Sequence, residues 1–406
     1  MPSVRGAVVS VVLFLAAGAP AAAAPVTPSV EVLLKKHAEL LAGRRIGLIT
    51  NQTGVDSQLR STADLLHADP RFRLVALFGP EHGIRGGAEA GEKVGDRRDP
   101  ATGLPVYSLY SGSGRGPSPE ALAEMDLLLC HTQDIGPGPY TYVWTMAPAM
   151  GAAAAAGKLF VVLDVPNPVL AAGVDGGPRE EEVKSFIGLY PVPYVYGLTA
   201  GELARYLNEA EGINCELVVI PMENYRRDMS WAETGLPWVP TSPNIPSPEA
   251  AVCYPLTGQL GELGEVNIGV GWTLPFQVVG APYLDARAMA RELNGRNFEG
   301  ILFRPIHYRP TCGVFAGEDI HGVQLHVTDV KRLRPVEIAY AVMEYVVRQE
   351  GFRWPEKRLD MFAKATGSKR TQLELAAGKK AAEFVAEWQP YLQTFREKTA
   401  SCLIYP

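Results

Sequence analysis

The sequence predicts an open, doubly wound α/β domain with a mainly parallel sheet, followed by a smaller α+β domain at the C-terminal end. Apolar runs of strand length alternate with helix-like segments between about residues 30 and 220, and several of these runs end in polar or glycine-containing turns. Near-continuous apolar strands that alternate with helices are typical of parallel sheets covered on both faces. Beyond residue 270, short strand-like runs stand among longer helical patterns, which favours an α+β arrangement.

The predicted strands of the first domain are the apolar runs at residues 45–50, 72–78, 126–131, 158–164 and 215–220. The helices predicted between them lie at residues 57–67, 119–124, 142–156 and 199–211. The last of these helices begins with a capping-box pattern, because Glu202 follows Thr199 at the required spacing. In the second domain we predict helices at 285–294, 335–349 and 371–397 and strands at 301–305 and 323–327.

The chain is predicted to divide into a signal peptide (1–24), a Rossmann-like α/β domain (25–225), a connecting loop region (226–270) and a smaller α+β domain (271–406). Arg5, a short apolar run at 7–17 and the alanines before Pro25 are typical of a cleaved export signal. The apolar run is too short to span a bilayer. We therefore expect a secreted or periplasmic protein with no membrane span after signal removal; an uncleaved anchor is the alternative.

Composition and motifs exclude several functional classes. A net charge of −6 and a pI near 5.8 argue against a nucleic-acid partner. The five cysteines are too widely spaced to form a CxxC-type metal motif. The sequence contains no HExxH, P-loop or GxSxG motif, and no GxGxxG follows the first strand. No metal and no cofactor are therefore expected.

Polar segments follow four of the predicted strands, at residues 50–54, 79–83, 131–136 and 164–168. In an open α/β sheet the carboxyl ends of the strands form the ligand-binding edge. Each segment also has a structural interpretation: Asn51 caps a turn, Asp134 shapes a turn, His131 is a buried core histidine, and Asp164 caps locally. Asn167, between two prolines, is held in a fixed direction.

The segment LFGPEHGIRGG at 77–87 is harder to explain structurally, because a buried strand ends directly before an acid and an imidazole. An acid just past a buried strand end is partly desolvated, which suits general-acid chemistry. We predict that Glu81 is catalytic or binds substrate. His82 either orients Glu81 or packs beneath the loop. The glycines at 83, 86 and 87 permit close approach of a ligand to the backbone.

Taken together, these stretches resemble the exo-β-N-acetylmuramidases of the NamZ type, long described as a domain of unknown function. The matching motifs are GLITNQTGVD (47–56), LFGPEHGIRG (77–86), AGEKV (90–94), DPATGLPVYSLY (99–110), QDIG (133–136), YTYVWTM (140–146), PNP (166–168), LTAGELA (198–204), TGLPWV (234–239), SPNIP (242–246), LPFQVVGAP (274–282) and the AGE…GVQLHVTD segment (316–329). The resemblance implies a secreted hydrolase that removes N-acetylmuramic acid from the non-reducing end of peptidoglycan fragments. It also implies a Rossmann-like domain, a smaller C-terminal domain and a cleft between them.

For such a glycosidase, Glu81 is the expected general acid, and a second carboxyl group is needed on the other side of the bond. Glu92 and Glu318 rank first for this role because they lie in matching segments, and His82 is grouped with these catalytic candidates. Asp134, Glu262 and Glu265 are further possibilities. Tyr140 and Tyr142 either form a sugar-stacking wall or belong to the core. The predicted substrate-binding residues are Asn51, Arg85, Asp134, Tyr140, Tyr142, Asn167, Asn244 and Thr273.

This chain departs from the family pattern at several arginines. Val165 and Gly138 stand where members usually carry arginine, and residues 267–273 lack the usual glutamate and arginine. Because arginine pairs bidentately with carboxylates, we predict a divergent member with altered substrate recognition, in which Arg85 and Arg115 are the nearest cations left for an acidic group. The alternative is a non-catalytic cell-wall glycan-binding protein that keeps the cleft. An esterase or amidase ranks last, because the chain lacks a nucleophile elbow.

Overall fold

The computed structural model describes residues 24–81, 83–86, 97–109 and 116–406. It contains a seven-stranded sheet and a separate three-stranded sheet. The fold class predicted from the sequence is confirmed. Within the described ranges no helix is both long enough and apolar enough to cross a membrane.

The large sheet belongs to the first domain. Its strands are β1 (Arg45–Thr50), β2 (Arg73–Gly79), β3 (Arg97–Arg98), β4 (Pro105–Ser108), β5 (Leu127–His131), β6 (Leu159–Leu163) and β7 (Leu217–Ile220). They lie in the order β3-β4-β2-β1-β5-β6-β7. The short edge strand β3 runs antiparallel to β4, and the remaining pairs are parallel. Apart from β3, this is the strand order of a Rossmann fold, in which the chain winds outward in both directions from a central pair.

Helices cover both faces of this sheet. They are α1 (Ser29–Lys36), α2 (Thr62–Ala68), α3 (Pro119–Ala123), α4 (Val143–Ala155) and α5 (Ala200–Ala210). Alternate strand residues enter the two core layers, so Leu77 packs in the layer that contains α2, whereas Phe78 packs in the layer that contains α4. The predicted capping box of α5 is confirmed, because the side chains of Thr199 and Glu202 each bind the other's backbone N–H.

One predicted helix begins later than the sequence pattern suggested. Residues 57–60 form a turn rather than the first turn of α2. The Asp56 carboxylate accepts hydrogen bonds from the backbone N–H groups of Gln58 and Arg60, and Leu59 has a left-handed φ of 62°. A carboxylate that binds nearby backbone N–H groups competes with helix formation, so α2 starts only after its Ser61 cap.

The second part of the chain surrounds the three-stranded antiparallel sheet. Its elements are α6 (Trp231–Thr234), α7 (Pro248–Gly261), β8 (Val278–Ala281), α8 (Ala286–Gly295), β9 (Ile301–Tyr308), β10 (Ile320–Val327), α9 (Pro335–Val347), α10 (Leu359–Thr366), α11 (Arg370–Ala376) and α12 (Ala381–Thr399). The strand order is β8-β10-β9. The helical patterns predicted at 371–397 form two helices, α11 and α12, which are separated near Gly378, a residue with a φ of 87°.

Helix α7 was not predicted from the sequence. It contains prolines at 248 and 255, and apolar side chains are buried on several of its sides, so no amphipathic period is visible. The Ser247 hydroxyl caps its N-terminus by accepting from the Ala250 N–H at 3.3 Å. This helix packs against α9 and carries Tyr254 toward the first domain.

Both ends of the described chain pack against the first domain. Val26, Met222, Tyr225 and Tyr405 share one buried apolar cluster. The Tyr405 hydroxyl reaches across to Asp164, the residue that follows β6. The last residues therefore help to complete the edge of the large sheet.

Candidate functional site

The loops that follow β1, β2, β5 and β6 share one edge of the large sheet. These strands are parallel, and Ile49 of β1 lies beside Phe78 of β2 on one side and Cys130 of β5 on the other. β1 and β5 form the central pair from which the chain winds in opposite directions, and open α/β sheets bind ligands at this point. The polar residues after these strands therefore lie close to a natural binding crevice.

Glu81 lies just beyond the end of β2 and is half-buried. The Thr141 hydroxyl donates a 2.7 Å hydrogen bond to Glu81 Oε2. Thr141 lies two residues before the start of α4, so the Glu81 side chain is held close to the N-terminus of that helix. The hydroxyl therefore gives Glu81 a defined orientation at the crevice.

The glycine-rich loop after Glu81 is partly used for packing. Gly86 has a φ of 72°, and a Cβ there would meet the Gln52 side chain at 2.5 Å. Gln52, rather than a ligand, fills this space. His82, Gly87 and Glu92 lie outside the described residues, so their predicted roles stay predictions.

Asp134 follows β5 and is 4% exposed. Its Oδ2 accepts hydrogen bonds from the Gly136 N–H at 2.7 Å and from the Tyr196 hydroxyl. Among the described residues, none is hydrogen-bonded to its Oδ1. Burial raises the pKa of Asp134 to about 6, against the opposing effect of the donors on Oδ2. The carboxyl group is thus rigidly held but keeps one oxygen unused.

Asn51 follows β1 and is 3% exposed. Its Oδ1 accepts from the backbone N–H of Thr53 at 3.0 Å and from the Thr53 hydroxyl. The amide lies beside Tyr142, whose pKa is raised by burial and lowered by this amide. Its Nδ2 is nevertheless not aligned for a hydrogen bond with any acceptor in the described part of the chain.

Tyr140, Tyr142 and Tyr254 form a tyrosine cluster beside these acids. The Tyr140 ring stands edge-on to Tyr142 at 5.0 Å and to Tyr254 at 6.0 Å, measured between ring centroids. The hydroxyls of Tyr140 and Tyr142 donate to the hydroxyl and carbonyl oxygens of Thr241. Both rings are buried, so the structure places them in the core, with their hydroxyls fixed to the segment that connects the two domains.

Tyr254 links the second domain to the acids of the first. Tyr254 lies on α7, and a part of the residue remains exposed to solvent. Burial raises its pKa, and the negative charges of Glu262, Glu81 and Asp134 raise it further. Tyr254 therefore lies within electrostatic reach of all three carboxyl groups. Two of these groups, Asp134 and Glu262, are among the proposed second carboxyl groups.

Arg85 is already paired with two carboxylates. Its guanidinium donates to both oxygens of Asp99, at 3.1 and 2.9 Å, and to Asp64 at 3.2 Å. Hydrogen bonding to Asp99 raises the pKa of Arg85 despite partial burial. Arg85 and Asn51 line a cleft of about 760 Å³ that runs along α2. Any substrate carboxylate at Arg85 competes with these acids, and its predicted role in binding is untested. Arg115 lies outside the described residues.

Asp164 follows β6 and has both of its oxygens fully used. Oδ1 accepts from the backbone N–H groups of Gly201 at 2.7 Å and Val165 at 3.0 Å. Oδ2 accepts from the hydroxyls of Thr199 and Tyr405, each at 2.7 Å. Burial raises its pKa to about 6. This carboxyl group joins β6, α5 and the end of the chain.

Two other strand-end residues also have internal partners. The Asn167 Nδ2 donates to the Leu198 carbonyl at 2.8 Å, and its Oδ1 accepts from the Val169 N–H at 2.9 Å. These two backbone hydrogen bonds use one Nδ2 proton and one Oδ1 lone pair. Asn167 can therefore bind a ligand, as predicted, only through the second proton or the second lone pair of its amide. His131 contacts the Thr62 hydroxyl through Nδ1 at 2.7 Å, and burial lowers its pKa to about 4.

The remaining predicted site residues lie on the surface. Asn244, Thr273 and Glu318 are all exposed, in the connecting region and in two loops of the second domain. Thr273 follows Trp272, which is 37% exposed and whose ring lies 5.8 Å from the Tyr308 ring. Glu318 lies in the turn between β9 and β10. Their roles stay predictions.

Sequence reasoning missed Thr141, Thr241 and Tyr254. Thr141 lies inside the YTYVWTM motif, and its position between two tyrosines was the available signal. Thr241 directly precedes SPNIP, but nothing in its local pattern indicates that two tyrosine hydroxyls meet it. Tyr254 could not be found, because its helix was not recognised.

The fold and the site together define a two-domain α/β protein of the class that binds its ligand at the carboxyl edge of a parallel sheet. The edge presents an oriented glutamate, a buried aspartic acid, an amide and tyrosines, which are groups suited to sugar chemistry. Within the described ranges no group of three or more His, Cys, Asp or Glu residues is arranged to hold a metal ion.

The chain belongs to the exo-beta-N-acetylmuramidase NamZ family. Residues 46–249 match the family's N-terminal domain, and residues 252–405 match its C-terminal domain. The resemblance recognised in the sequence is confirmed, and the protein is a glycoside hydrolase of this type.

Known relatives support this assignment along nearly the whole chain. A peptidoglycan beta-N-acetylmuramidase NamZ of Bacillus subtilis (strain 168) is 38% identical over 382 residues, which cover 94% of this chain and 91% of that protein. The crystal structure of a DUF1343 family protein from Bacteroides fragilis NCTC 9343 superimposes with a TM-score of 0.88 and 40% identity, and the match covers 95% of this chain and all of the other. A second DUF1343 protein from the same organism gives a TM-score of 0.74 at 26% identity, over 94% of this chain and 99% of the other.

Proposed function

We propose that this enzyme is an exported exo-glycosidase that releases N-acetylmuramic acid, or a closely related amino sugar, from the non-reducing end of peptidoglycan fragments. The observation that carries the proposal is Glu81 of the family's GPEHG motif, oriented by Thr141 at the carboxyl edge of the sheet. The 38% identity to a peptidoglycan beta-N-acetylmuramidase supports the same substrate class.

In this proposal Glu81 is the general acid that gives its proton to the leaving glycosidic oxygen. A second carboxyl group assists attack at the anomeric carbon, either as a nucleophile or by activating water. Glu92 and Glu318 rank first for that step. The tyrosine cluster and Thr241 would form the wall where the two domains meet.

The direct test is incubation of the mature protein with a panel of chromogenic amino-sugar glycosides that includes the N-acetylmuramic acid glycoside. We expect release of the chromophore from that substrate and loss of release in Glu81→Gln. Absence of turnover on the entire panel and on peptidoglycan fragments would exclude the proposal. Mass spectrometry of the mature N-terminus tests export separately, and we expect cleavage near residue 24.

The second candidate is a member of this hydrolase family that has lost turnover and only binds glycan. It is favoured by the paired state of Arg85 and by the absence of arginine at Val165 and Gly138. Glu81→Gln distinguishes the two: a hydrolase loses its rate and keeps its affinity, whereas a binding protein has no rate to lose.

Recognition of the lactyl carboxylate of muramic acid can be examined at Gly138. A Cβ at this position would meet its nearest neighbour, the Tyr194 carbonyl, at 3.6 Å, which is an ordinary contact. If the missing arginine sets substrate preference, Gly138→Arg should raise kcat/KM for the muramic glycoside relative to the N-acetylglucosamine glycoside. An unchanged ratio would show that recognition is achieved elsewhere.

A further inference from the structure

Two buried polar atoms beside Tyr142 are unpartnered and of opposite type. Asn51 Nδ2 is a donor and Asp134 Oδ1 is an acceptor, and no described residue is hydrogen-bonded to either atom. Asn51 and Asp134 are 3% and 4% exposed. A buried polar group without a partner costs about 1–3 kcal/mol, and such groups are uncommon in native structures.

The two side chains are held in a fixed relation to each other. The Thr53 hydroxyl binds Asn51 Oδ1 and also accepts from the Gln133 N–H at 2.8 Å, directly before Asp134. Tyr196 and the Gly136 N–H fix the opposite oxygen of Asp134. Each side chain is therefore anchored through one polar atom, while its other polar atom has no hydrogen-bond partner in the described part of the chain.

Both residues lie on the edge of the sheet that carries Glu81. Asn51 follows β1 and Glu81 follows β2, and these two strands are paired as far as Ile49 and Phe78. Asp134 and Glu81 both act on the hydroxyls of Tyr142 and Tyr254, whose pKa values burial raises first and these two charges raise further. Asn51, Asp134 and the general acid therefore belong to the same edge.

A donor and an acceptor on the same edge of the sheet can together bind an amide group. Among the groups of the proposed substrate, the 2-acetamido substituent offers a carbonyl oxygen and an N–H together, next to the anomeric carbon. We propose that Asn51 Nδ2 donates to the acetamido carbonyl oxygen and that Asp134 Oδ1 accepts the acetamido N–H. This specificity site rests on the proposed function, because it names the group of that substrate which the site recognises.

Isosteric substitutions test the proposal by reversing one hydrogen-bonding partner at a time. In Asp134→Asn the donors from Gly136 and Tyr196 hold the amide oxygen at the Oδ2 position, so an NH₂ group replaces the acceptor. In Asn51→Asp the Thr53 contacts hold Oδ1, so an oxygen replaces the donor. For each variant we expect kcat/KM on the N-acetylated glycoside to fall about 10- to 100-fold. On the analogue with a 2-hydroxyl group the loss should be at least about fivefold smaller, because that substrate offers no amide to the two side chains.

Asp164→Asn is the matched control, since Asp164 lies on the same edge and has its oxygens filled by internal donors. It should lower thermal stability without changing the ratio of the two kcat/KM values. Equal losses on both substrates in Asp134→Asn and Asn51→Asp would overturn the proposal, as would a wild-type enzyme with no preference for the acetamido group.

Calorimetry with free N-acetylmuramic acid and its 2-hydroxyl analogue separates this inference from the proposed function. Selective binding of the acetylated sugar, lost in Asp134→Asn, supports the site even if no turnover is found, in which case only the hydrolytic function fails. Turnover without acetamido preference retains the function and rejects the site. Neither binding preference nor turnover rejects both.

Discussion

Asp134 and Asp164 follow adjacent strands of one sheet, and burial raises the pKa of each to about 6. Their hydrogen bonding is nevertheless different. Asp164 accepts from donors on both oxygens, whereas Asp134 has one oxygen that no described residue contacts. A perturbed pKa therefore does not by itself distinguish a residue of the site from a structural one, and the unfilled hydrogen-bonding capacity does.

The residues at the different strand ends of the large sheet therefore have different roles. The residues after β1, β2 and β5 are oriented and can accept or donate further hydrogen bonds. Asp164, after β6, already accepts hydrogen bonds from the N-terminal cap of α5 and from Tyr405. Substitutions at the first group should change catalysis and selectivity. Substitutions at the second should change stability.

The largest effect should come from Glu81 at the end of β2. In Glu81→Gln the proton donor is lost, and we expect kcat to fall about 10²- to 10⁴-fold, measured with the N-acetylmuramic acid glycoside. Affinity for free N-acetylmuramic acid should stay within about threefold, because the side chain keeps its shape. A variant that retains more than a tenth of the wild-type rate would remove Glu81 from the catalytic step.

Replacing each aspartate by alanine in turn tests whether Asp134 and Asp164 contribute differently to stability. Asp164→Ala leaves several buried donors without an acceptor, and we expect a loss of about 3 kcal/mol in the free energy of unfolding. Asp134→Ala leaves two donors rather than four without an acceptor and should cost roughly half as much. Urea unfolding of both variants measures the difference. Equal losses would show that Asp134 is as structural as Asp164.

A smaller effect is expected at Thr141, which positions Glu81 without contacting the reacting atoms. Thr141→Val removes the hydroxyl that binds Glu81 Oε2. We expect kcat to fall about tenfold, with little change in KM, because the hydroxyl fixes the direction in which the carboxyl group of Glu81 points. Thr141→Ser should restore most of the rate. No rescue by serine would indicate a packing role for the threonine methyl group instead.

The smallest effect concerns His131, the last residue of β5. Burial lowers its pKa from 6.5 to about 4, so the folded state favours the neutral ring. Its contribution to stability is complete above pH 6.5 and is lost as the pH falls toward 4. Between pH 7 and pH 5.5 this loss is about 1 kcal/mol.

Asp134 and Asp164 act in the opposite direction over much of the same range. Their raised pKa values favour the protonated form, so their contribution is lost as the pH rises through about 6. Comparison of wild type with His131→Asn cancels the two carboxyl groups. The variant should lose less stability than wild type on acidification, and parallel curves for the two proteins would contradict the neutral-histidine assignment.

The sequence predicted the central strands well, because a strand buried on both faces must be apolar along its whole length. It could not predict α7, because a helix buried on several sides shows no period, and its two prolines suggested a loop. Tyr254 was missed with it. The position of Glu81 followed from the local motif, but its partner Thr141 is 60 residues away in the chain.

The different roles of Asp134 and Asp164 were also beyond local reasoning. The two segments look alike in sequence, as an acid soon after an apolar run. Asp164 accepts a hydrogen bond from the hydroxyl of Tyr405, 241 residues further along the chain. Asp134 accepts one from the hydroxyl of Tyr196, 62 residues away, and only one of its two oxygens is used. Such distinctions depend on tertiary partners that no short window contains.

The contact between Tyr405 and Asp164 also sets an order for folding during synthesis. The edge of the first domain depends on a hydroxyl that leaves the ribosome only after the second domain has been translated. An emerging chain can form most of the large sheet early, but β6 keeps a buried acid incompletely paired until the final residues arrive. The native structure is therefore completed only when the last residues arrive, and a fusion or truncation near residue 405 should affect Asp164, 241 residues earlier in the chain.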